Sequence, residues 1–122
     1  MCRIQPFIII FVFLVVILLP ISIYSAEPML KWGLGTRSCA KFTEDFKQNP
    51  ELWETLYYSW AEGFMSGFNL VRSNISNKDI DLNPYDRSEI WRRETIREYC
   101  STHPLSPYSE AVVNLINELG KP

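Results

Sequence analysis

The segment from Asn49 to Arg72 constrains the fold most, because apolar residues recur there at three- and four-residue steps. This spacing predicts a long amphipathic helix that Asn49 caps and Pro50 starts. The predicted buried stripe contains Leu52, Trp53, Leu56, Tyr57, Trp60, Phe64, Phe68 and Val71. The predicted polar side contains Glu51, Glu54, Tyr58, Glu62, Asn69 and Arg72. We expect the rest of the domain to pack around this helix.

Small residues interrupt the predicted stripe at four-residue spacing. Ser59, Gly63 and Gly67 lie within it, and glycine inside a helix costs about 1 kcal/mol relative to alanine. Close approach of a second helix or an aromatic ring would compensate, and we favour such internal packing over a groove that stays open for a partner. The candidate partner groove consists of Ser59, Trp60, Gly63, Phe64, Gly67 and Phe68.

The N-terminus has the pattern of a secretory signal. Arg3 precedes an uninterrupted apolar run from Phe7 to Leu19, and the first acidic residue is Glu27. We therefore predict a signal peptide over residues 1–26 and a single helical domain over residues 27–122. Tyr24 is unfavourable so close to the predicted cleavage site, which leaves an uncleaved membrane anchor as the alternative. The expected localisation is periplasmic or secreted, with membrane attachment only through a retained leader.

The charge of the remaining chain argues against nucleic-acid binding. Without Arg3, 14 acidic and 11 basic residues give a net charge of −3. No basic cluster is interleaved with aromatic residues, as a nucleic-acid surface would require. We expect a protein partner of unknown identity.

Two cysteines remain once Cys2 leaves with the leader. Cys39 and Cys100 form an even pair in an exported chain, so a disulfide is expected, with free or metal-binding thiols as the alternative. Closing a loop of about 60 residues would stabilise the domain by roughly 4 kcal/mol on the chain-entropy model. An enzyme that uses Cys100 with His103 would need a free thiol. His103 is the only histidine, which excludes sites built on two histidines. The sequence thus predicts no enzymatic activity, cofactor or metal.

Three further helices are expected beside the long one. Ser38 caps a short helix from Cys39 to Lys47, and a helix that Asp86 and Glu89 open extends to about Ser101. Ser106 caps the last helix, Pro107 starts it, and Gly120 stops it. No segment alternates apolar and polar residues over a strand's length. The predicted fold class is all-α, a small four-helix bundle with one disulfide.

The remaining features are predicted to be structural or exposed. Trp32 is expected to pack on the core, and residues 73–85 to form a polar connection. That connection contains Asn74, an N-glycosylation acceptor if the source is eukaryotic. Asp45 is placed on a polar face. Three arginines of the third helix could receive an anionic partner, but the acids at positions 89, 94 and 98 balance them, so an outer face of ion pairs is favoured; they are Arg92, Arg93 and Arg97.

The order of these features resembles two groups of small exported helical proteins. The features are Ser38-Cys39 with Phe42, then Trp60-x-x-Gly63-Phe64-x-x-Gly67, then Tyr99-Cys100 and Pro104 before a terminal amphipathic helix. This arrangement resembles the HdeA/HdeB acid-stress chaperones and is similar to the Rap/Tai immunity proteins, which protect bacteria from secreted effectors. The resemblance implies a helical fold with one disulfide and no enzymatic activity. The connection over residues 73–85 is longer than in the chaperones, and the immunity proteins' additional cysteine pair is absent, so no individual binding residue is carried over.

These observations together favour a non-enzymatic protein-binding module outside the cytoplasm, of HdeA-like or Rap/Tai-immunity-like type. One alternative is an acid-activated periplasmic holdase, which would expose apolar faces once its carboxylates are protonated. Another is an enzyme using Cys100 and His103. The sequence leaves open whether the domain pairs with itself as a homodimer.

Overall fold

The chain folds into four α-helices that follow a short 3₁₀ turn. The structure, a computed structural model of the chain, describes residues 32–121. Its elements are the 3₁₀ turn Gly33–Thr36 and the helices α1 (Cys39–Gln48), α2 (Pro50–Ser76), α3 (Glu89–Thr102) and α4 (Tyr108–Leu119). The described residues contain no strand, only an isolated antiparallel bridge between Ser38 and Pro107. The all-α prediction is confirmed for this part, whereas the predicted leader over residues 1–26 lies outside it.

Side-chain caps explain where two of the helices begin. Ser38 accepts a hydrogen bond from the Lys41 amide at 3.2 Å and starts α1. Asn49 accepts one from the Leu52 amide at 3.2 Å and starts α2, with Pro50 in the first turn. Each cap satisfies an amide that has no partner within its helix. Both predicted start positions are confirmed.

The other two helices begin differently from the prediction. Ser88, rather than Asp86, caps α3 by accepting from the Trp91 amide at 3.2 Å. No side chain caps α4, which follows Pro107. Instead, the Tyr108 amide donates to the Arg37 carbonyl at 2.7 Å. The predicted Ser106 cap is therefore wrong, because the acceptor is the backbone carbonyl of Arg37 in the segment before α1.

The core lies where α1 meets the other three helices. The predicted disulfide is confirmed, and Cys39–Cys100 joins α1 to α3. Beside it the rings of Phe42, Tyr57 and Tyr108 pack together with centroids 4.8 to 5.1 Å apart. Such contacts bury much apolar area and add pairwise stabilisation beyond it. The remaining core comprises Tyr58, Ala61, Met65, Ile80, Ile96, Ala111, Val112, Leu115, Ile116 and Leu119.

The buried face of α2 differs from the predicted stripe. Tyr57, Tyr58, Ala61 and Met65 are buried. The predicted stripe members Leu52, Leu56, Phe68 and Val71 are exposed, and Tyr58 was wrongly assigned to the polar side. The face that contacts α1 is therefore rotated around the helix relative to the face with the most apolar residues. Tyrosine can serve on this face because its hydroxyl finds partners at the edge of the core.

The C-terminal end of α2 lies four residues beyond the predicted one. The helix continues to Ser76, and Asn77 ends it in the left-handed conformation with φ of 50°. Asn74 consequently lies in the helix, not in the predicted connection. Asn69 then fastens the next segment, because its amide donates to the Ile80 carbonyl at 2.8 Å and accepts from the Ile80 amide at 2.9 Å.

Candidate functional site

One face of α2 combines exposed leucines with small residues. We define the outer strip as Leu52, Leu56, Ser59, Gly63, Gly67 and Leu70, which follow three- and four-residue steps and are all exposed. The exposed fractions are 50% for Leu52, 43% for Leu56 and 67% for Leu70. Single exposed leucines are ordinary on a protein surface, but here three lie on one helical face. The outer strip is therefore an apolar face that no described residue covers.

The glycines in the middle of the outer strip have open space above them. An added Cβ at Gly63 or Gly67 would meet no atom within 4 Å. The expected internal packing of Ser59, Gly63 and Gly67 is therefore wrong, since all three are exposed on the side of α2 away from the core. The candidate groove for a partner, in contrast, stays a prediction.

Trp60, the predicted wall of the groove, packs on a different pair of glycines. An added Cβ at Gly35 would overlap its indole ring, and one at Gly33 would lie 3.3 Å from its Nε1. The same Nε1 donates to the Trp32 carbonyl at 2.9 Å. On its other side Trp60 stacks on Phe64, with centroids 5.2 Å apart. The chain's own 3₁₀ turn thus occupies part of the surface predicted for a partner.

The sequence predicted that Trp32 packs on the core, and this prediction is wrong. Its side chain is 80% exposed, and its backbone carbonyl makes the contact with Trp60. Phe68, the last of the predicted groove residues, is 40% exposed. Of the six candidate groove residues, the structure leaves four exposed and buries part of Trp60 and Phe64.

Asp45 is a buried carboxylate that sequence reasoning placed on the surface. Its Oδ2 accepts from the Tyr57 hydroxyl at 3.0 Å and from Arg37 Nη1 at 3.1 Å, and Lys41 Nζ lies 3.0 Å from Oδ1. Burial by itself would raise the pKa of Asp45, but the bonds from Lys41 and Tyr57 hold it below its ordinary value. Burial, followed by the bond to Asp45, raises the pKa of Tyr57 to about 12. The cluster is fully paired, which identifies it as a structural feature.

Cys100 and His103 do not form the dyad that an enzyme would require. The Cys100 sulfur is bonded to Cys39. His103 is exposed at the end of α3, where its ring stacks on Tyr99 with centroids 4.2 Å apart and Nδ1 lies 3.1 Å from the Tyr99 carbonyl oxygen. The nucleophile and the base are thus each engaged elsewhere.

Arg92 is the second charged residue that sequence reasoning missed. It was expected on the outer face of α3 but is 7% exposed. Arg93 and Arg97, which follow it along the helix, both pair with Glu54 of α2. They also pair with Glu89 and Glu94 of their own helix, in keeping with the predicted balance of charge. The four-residue spacing of Lys41 and Asp45 could have indicated an ion pair, whereas no local pattern distinguishes Arg92 from its neighbours.

Residues 32–121 show neither a metal-binding cluster nor a membrane-spanning helix. No group of three or more potential ligands among histidine, cysteine, aspartate and glutamate is arranged to hold a metal ion there. None of the helices in the same range has both the length and the apolar character needed to span a bilayer.

Comparisons with known proteins assign no relative to this chain. No protein-family model, no curated protein and no solved structure matched it. The resemblance to HdeA/HdeB and Rap/Tai proteins is therefore a prediction from the spacing of residues alone.

Proposed function

We propose that this chain is a non-enzymatic protein-binding module that acts outside the cytoplasm, and that its outer strip receives an apolar helix of a partner. The observation that carries the proposal is the combination of three exposed leucines with an open centre at Gly63 and Gly67. Exposed apolar faces of this kind commonly mark interaction sites. The function stays in the HdeA-like or Rap/Tai-immunity-like class that the sequence resembles.

The arrangement of side chains suits a second helix. Two helices normally pack 8–10 Å apart, at a distance that depends on the side chains at the contact. Small residues at the centre of the strip permit close approach, while Leu52 and Leu70 near its ends can contact the partner's side chains. Glu62, on the same helix but outside the strip, stays in solvent at its edge.

The proposed location outside the cytoplasm has separate support. The bonded Cys39–Cys100 pair is typical of proteins in oxidising compartments. The predicted leader over residues 1–26 points the same way. Cytoplasmic disulfides are rare in most organisms, so both features favour an exported chain.

The test is affinity capture with matched variants. The tagged domain captures proteins from the host envelope at pH 7 and pH 3. The same capture is made with Gly63→Leu and Leu56→Lys in the strip and with Asn117→Leu, a control at an exposed position of α4. We expect one stoichiometric partner at pH 7 that both strip variants lose and Asn117→Leu retains. Capture that survives in folded Gly63→Leu protein, checked by circular dichroism, contradicts the proposal.

The two pH values separate the alternative roles. A single partner at pH 7 supports an immunity-like role, whereas many partners that appear at pH 3 alone indicate the acid-activated holdase. Capture of the untagged chain itself, verified by sedimentation, would identify the strip as a homodimer contact.

A further inference from the structure

Arg92 is a buried cation at the base of a surface pocket. Its Nε donates to the Tyr58 hydroxyl at 2.8 Å, and its Nη1 donates to Asn83 Oδ1 at 2.8 Å and to the Arg87 carbonyl at 3.1 Å. The pocket has a volume of about 370 Å³, and its walls include Met65 and Leu82. The pocket is therefore lined by one buried cation, by two carboxylates at Glu62 and Glu89, by neutral polar groups and by two apolar side chains.

No carboxylate among the described residues forms an ion pair with Arg92. Every ion pair in this range involves another cation, and none includes Arg92. Glu89, which lines the same pocket, pairs with Arg93 at 2.6 Å. Glu62 also lines the pocket but is exposed and makes no ion pair in the described part. A buried charge without a counter-charge is costly, so Arg92 calls for an explanation.

Two hydrogen-bond donors at the base of the pocket have no acceptor among the described residues. Arg92 Nη2 makes no hydrogen bond there, and the Tyr58 hydroxyl accepts from Arg92 without donating. Because no fully buried side-chain nitrogen or oxygen in this range lacks a partner, Nη2 is not completely buried, and Arg92 is one of the residues that line the pocket. Both donors belong to the same hydrogen-bonded pair, so a single acceptor group can approach them together.

We propose that this pocket binds one carboxylate group of a peptide, with Arg92 Nη2 and the Tyr58 hydroxyl as donors. Charge-assisted hydrogen bonds from guanidinium to carboxylate are strong and directional. The apolar walls at Met65 and Leu82 suit the carbon chain that carries the group. A doubly charged phosphate fits less well, since Glu62 and Glu89 would repel it more strongly. The site is separate from the outer strip and does not depend on it.

A purely structural role is the competing explanation for Arg92. Its bonds to Asn83 and Arg87 fasten the segment between α2 and α3 to the core. That role accounts for Nε and Nη1, but it needs neither a free Nη2 nor an uncompensated charge. Ligand binding therefore distinguishes the two explanations, whereas stability does not.

The test is an NMR titration of the whole chain at constant ionic strength. Sodium acetate is the first probe, read at the Arg92 Nε–H signal and the Asn83 amide, with sodium chloride and inorganic phosphate as comparisons. We expect a saturable shift at both signals with acetate and a weaker one with phosphate. Equal shifts with all three salts, or no saturable shift, overturn the proposal.

Variants and peptides sharpen the result. Arg92→Lys, read at the Asn83 amide, is expected to weaken acetate binding at least tenfold, while the control Arg97→Lys leaves it unchanged. Glu62→Gln removes a repelling charge and is expected to tighten binding several-fold. Unchanged binding in folded Arg92→Lys, or weaker binding in Glu62→Gln, contradicts the assignment.

Two peptides distinguish the sources of the carboxylate. Acetyl-glycyl-glycine has a free C-terminal carboxylate, whereas an amidated peptide with one internal glutamate has only a side-chain carboxylate. Tighter binding of the first assigns the pocket to chain ends, and tighter binding of the second assigns it to acidic side chains. An amidated glycine peptide without a carboxylate is the control. If it binds as tightly as the two carboxylate peptides, or more tightly, the proposal is refuted.

Discussion

Gly35 and Gly63 show that the same residue serves opposite purposes in two parts of this molecule. Gly35 is buried beneath Trp60, where any side chain would overlap the indole ring. Gly63 is exposed on α2, where an added Cβ would meet nothing within 4 Å. The first glycine is required by the packing of this chain on itself, and the second is not. Because no packing within the chain requires glycine at position 63, the proposed partner is the explanation for this residue.

The largest expected effect is that of Gly35→Ala. The added methyl group must displace Trp60 or the 3₁₀ turn, so we expect a loss of about 3 kcal/mol in the free energy of unfolding, at the upper end for an overpacked core. Urea denaturation followed by circular dichroism measures it. A loss below about 0.5 kcal/mol would mean that the turn does not pack closely on Trp60, and the contrast with Gly63 would disappear.

A smaller loss of stability is expected for Asp45→Asn, which tests whether the packing of α1 on α2 depends on the ionised carboxylate of Asp45. Tyr57 and two cations lose a charged partner, so we expect a loss of about 2 kcal/mol at pH 7. Because the pKa of Asp45 is lowered in the folded chain, its contribution is present above an unfolded pKa of about 3.9 and is lost as pH falls through the folded value.

The pH dependence provides the control for this prediction. Urea denaturation at pH 7, 5, 4 and 3 should show a smaller loss of stability on acidification for Asp45→Asn than for the natural chain. Glu44→Gln, an exposed neighbour, should behave like the natural chain. Parallel pH profiles for the natural chain and Asp45→Asn would show that the carboxylate is not stabilised by its partners.

The smallest effect, and the one of opposite sign, is expected for Gly63→Ala. Alanine is the better helix former and has room at this position, so we expect a gain of about 1 kcal/mol in the free energy of unfolding. Gly67→Ala should behave alike. Differential scanning calorimetry should show a lower melting temperature for Gly35→Ala and a higher one for Gly63→Ala, each relative to the natural chain. A loss at Gly63 would show that its surroundings are not open.

Local signals in the sequence predicted the helices well. Ser38, Asn49 and Pro50 were identified as start positions because capping depends on residues a few positions apart. The cysteine pair was identified from its even number and the leader. The C-terminal end of α2 was missed because Asn74 and Ser76 resemble a connection, although they continue the helix.

The face of α2 could not be predicted from its own residues. Counting apolar positions favoured Leu52 and Leu56, but the neighbouring helices determine which side is covered, and they cover Tyr57 and Tyr58. The Trp60 contact with Gly35 likewise joins residues far apart in sequence. The sequence predicted close packing on Gly63 and Gly67, whereas the ring of Trp60 packs on Gly35.

The positions of the two buried charges were predicted wrongly for the same reason. Asp45 has its partners on the segment before α1, on α1 and on α2, while Arg92 binds α2 and the segment that follows it. A charged residue looks solvated in sequence unless all its partners are known. The outer strip contains three of the predicted groove residues. The sequence offered Arg92 as a contact for an anionic partner, but the neighbouring acids favoured an outer face, and no local signal indicated its burial in a pocket.

The bond between Cys39 and Cys100 closes a covalent ring over a sequence separation of 61. All of α2 and the segment between α2 and α3 lie inside this ring, including the exposed residue Lys78 and the partly exposed Arg87. A trypsin-like protease that cuts the backbone after either residue opens the ring without releasing a fragment. The two pieces stay attached through sulfur and can keep their native contacts, so the molecule tolerates a nick in its longest connection.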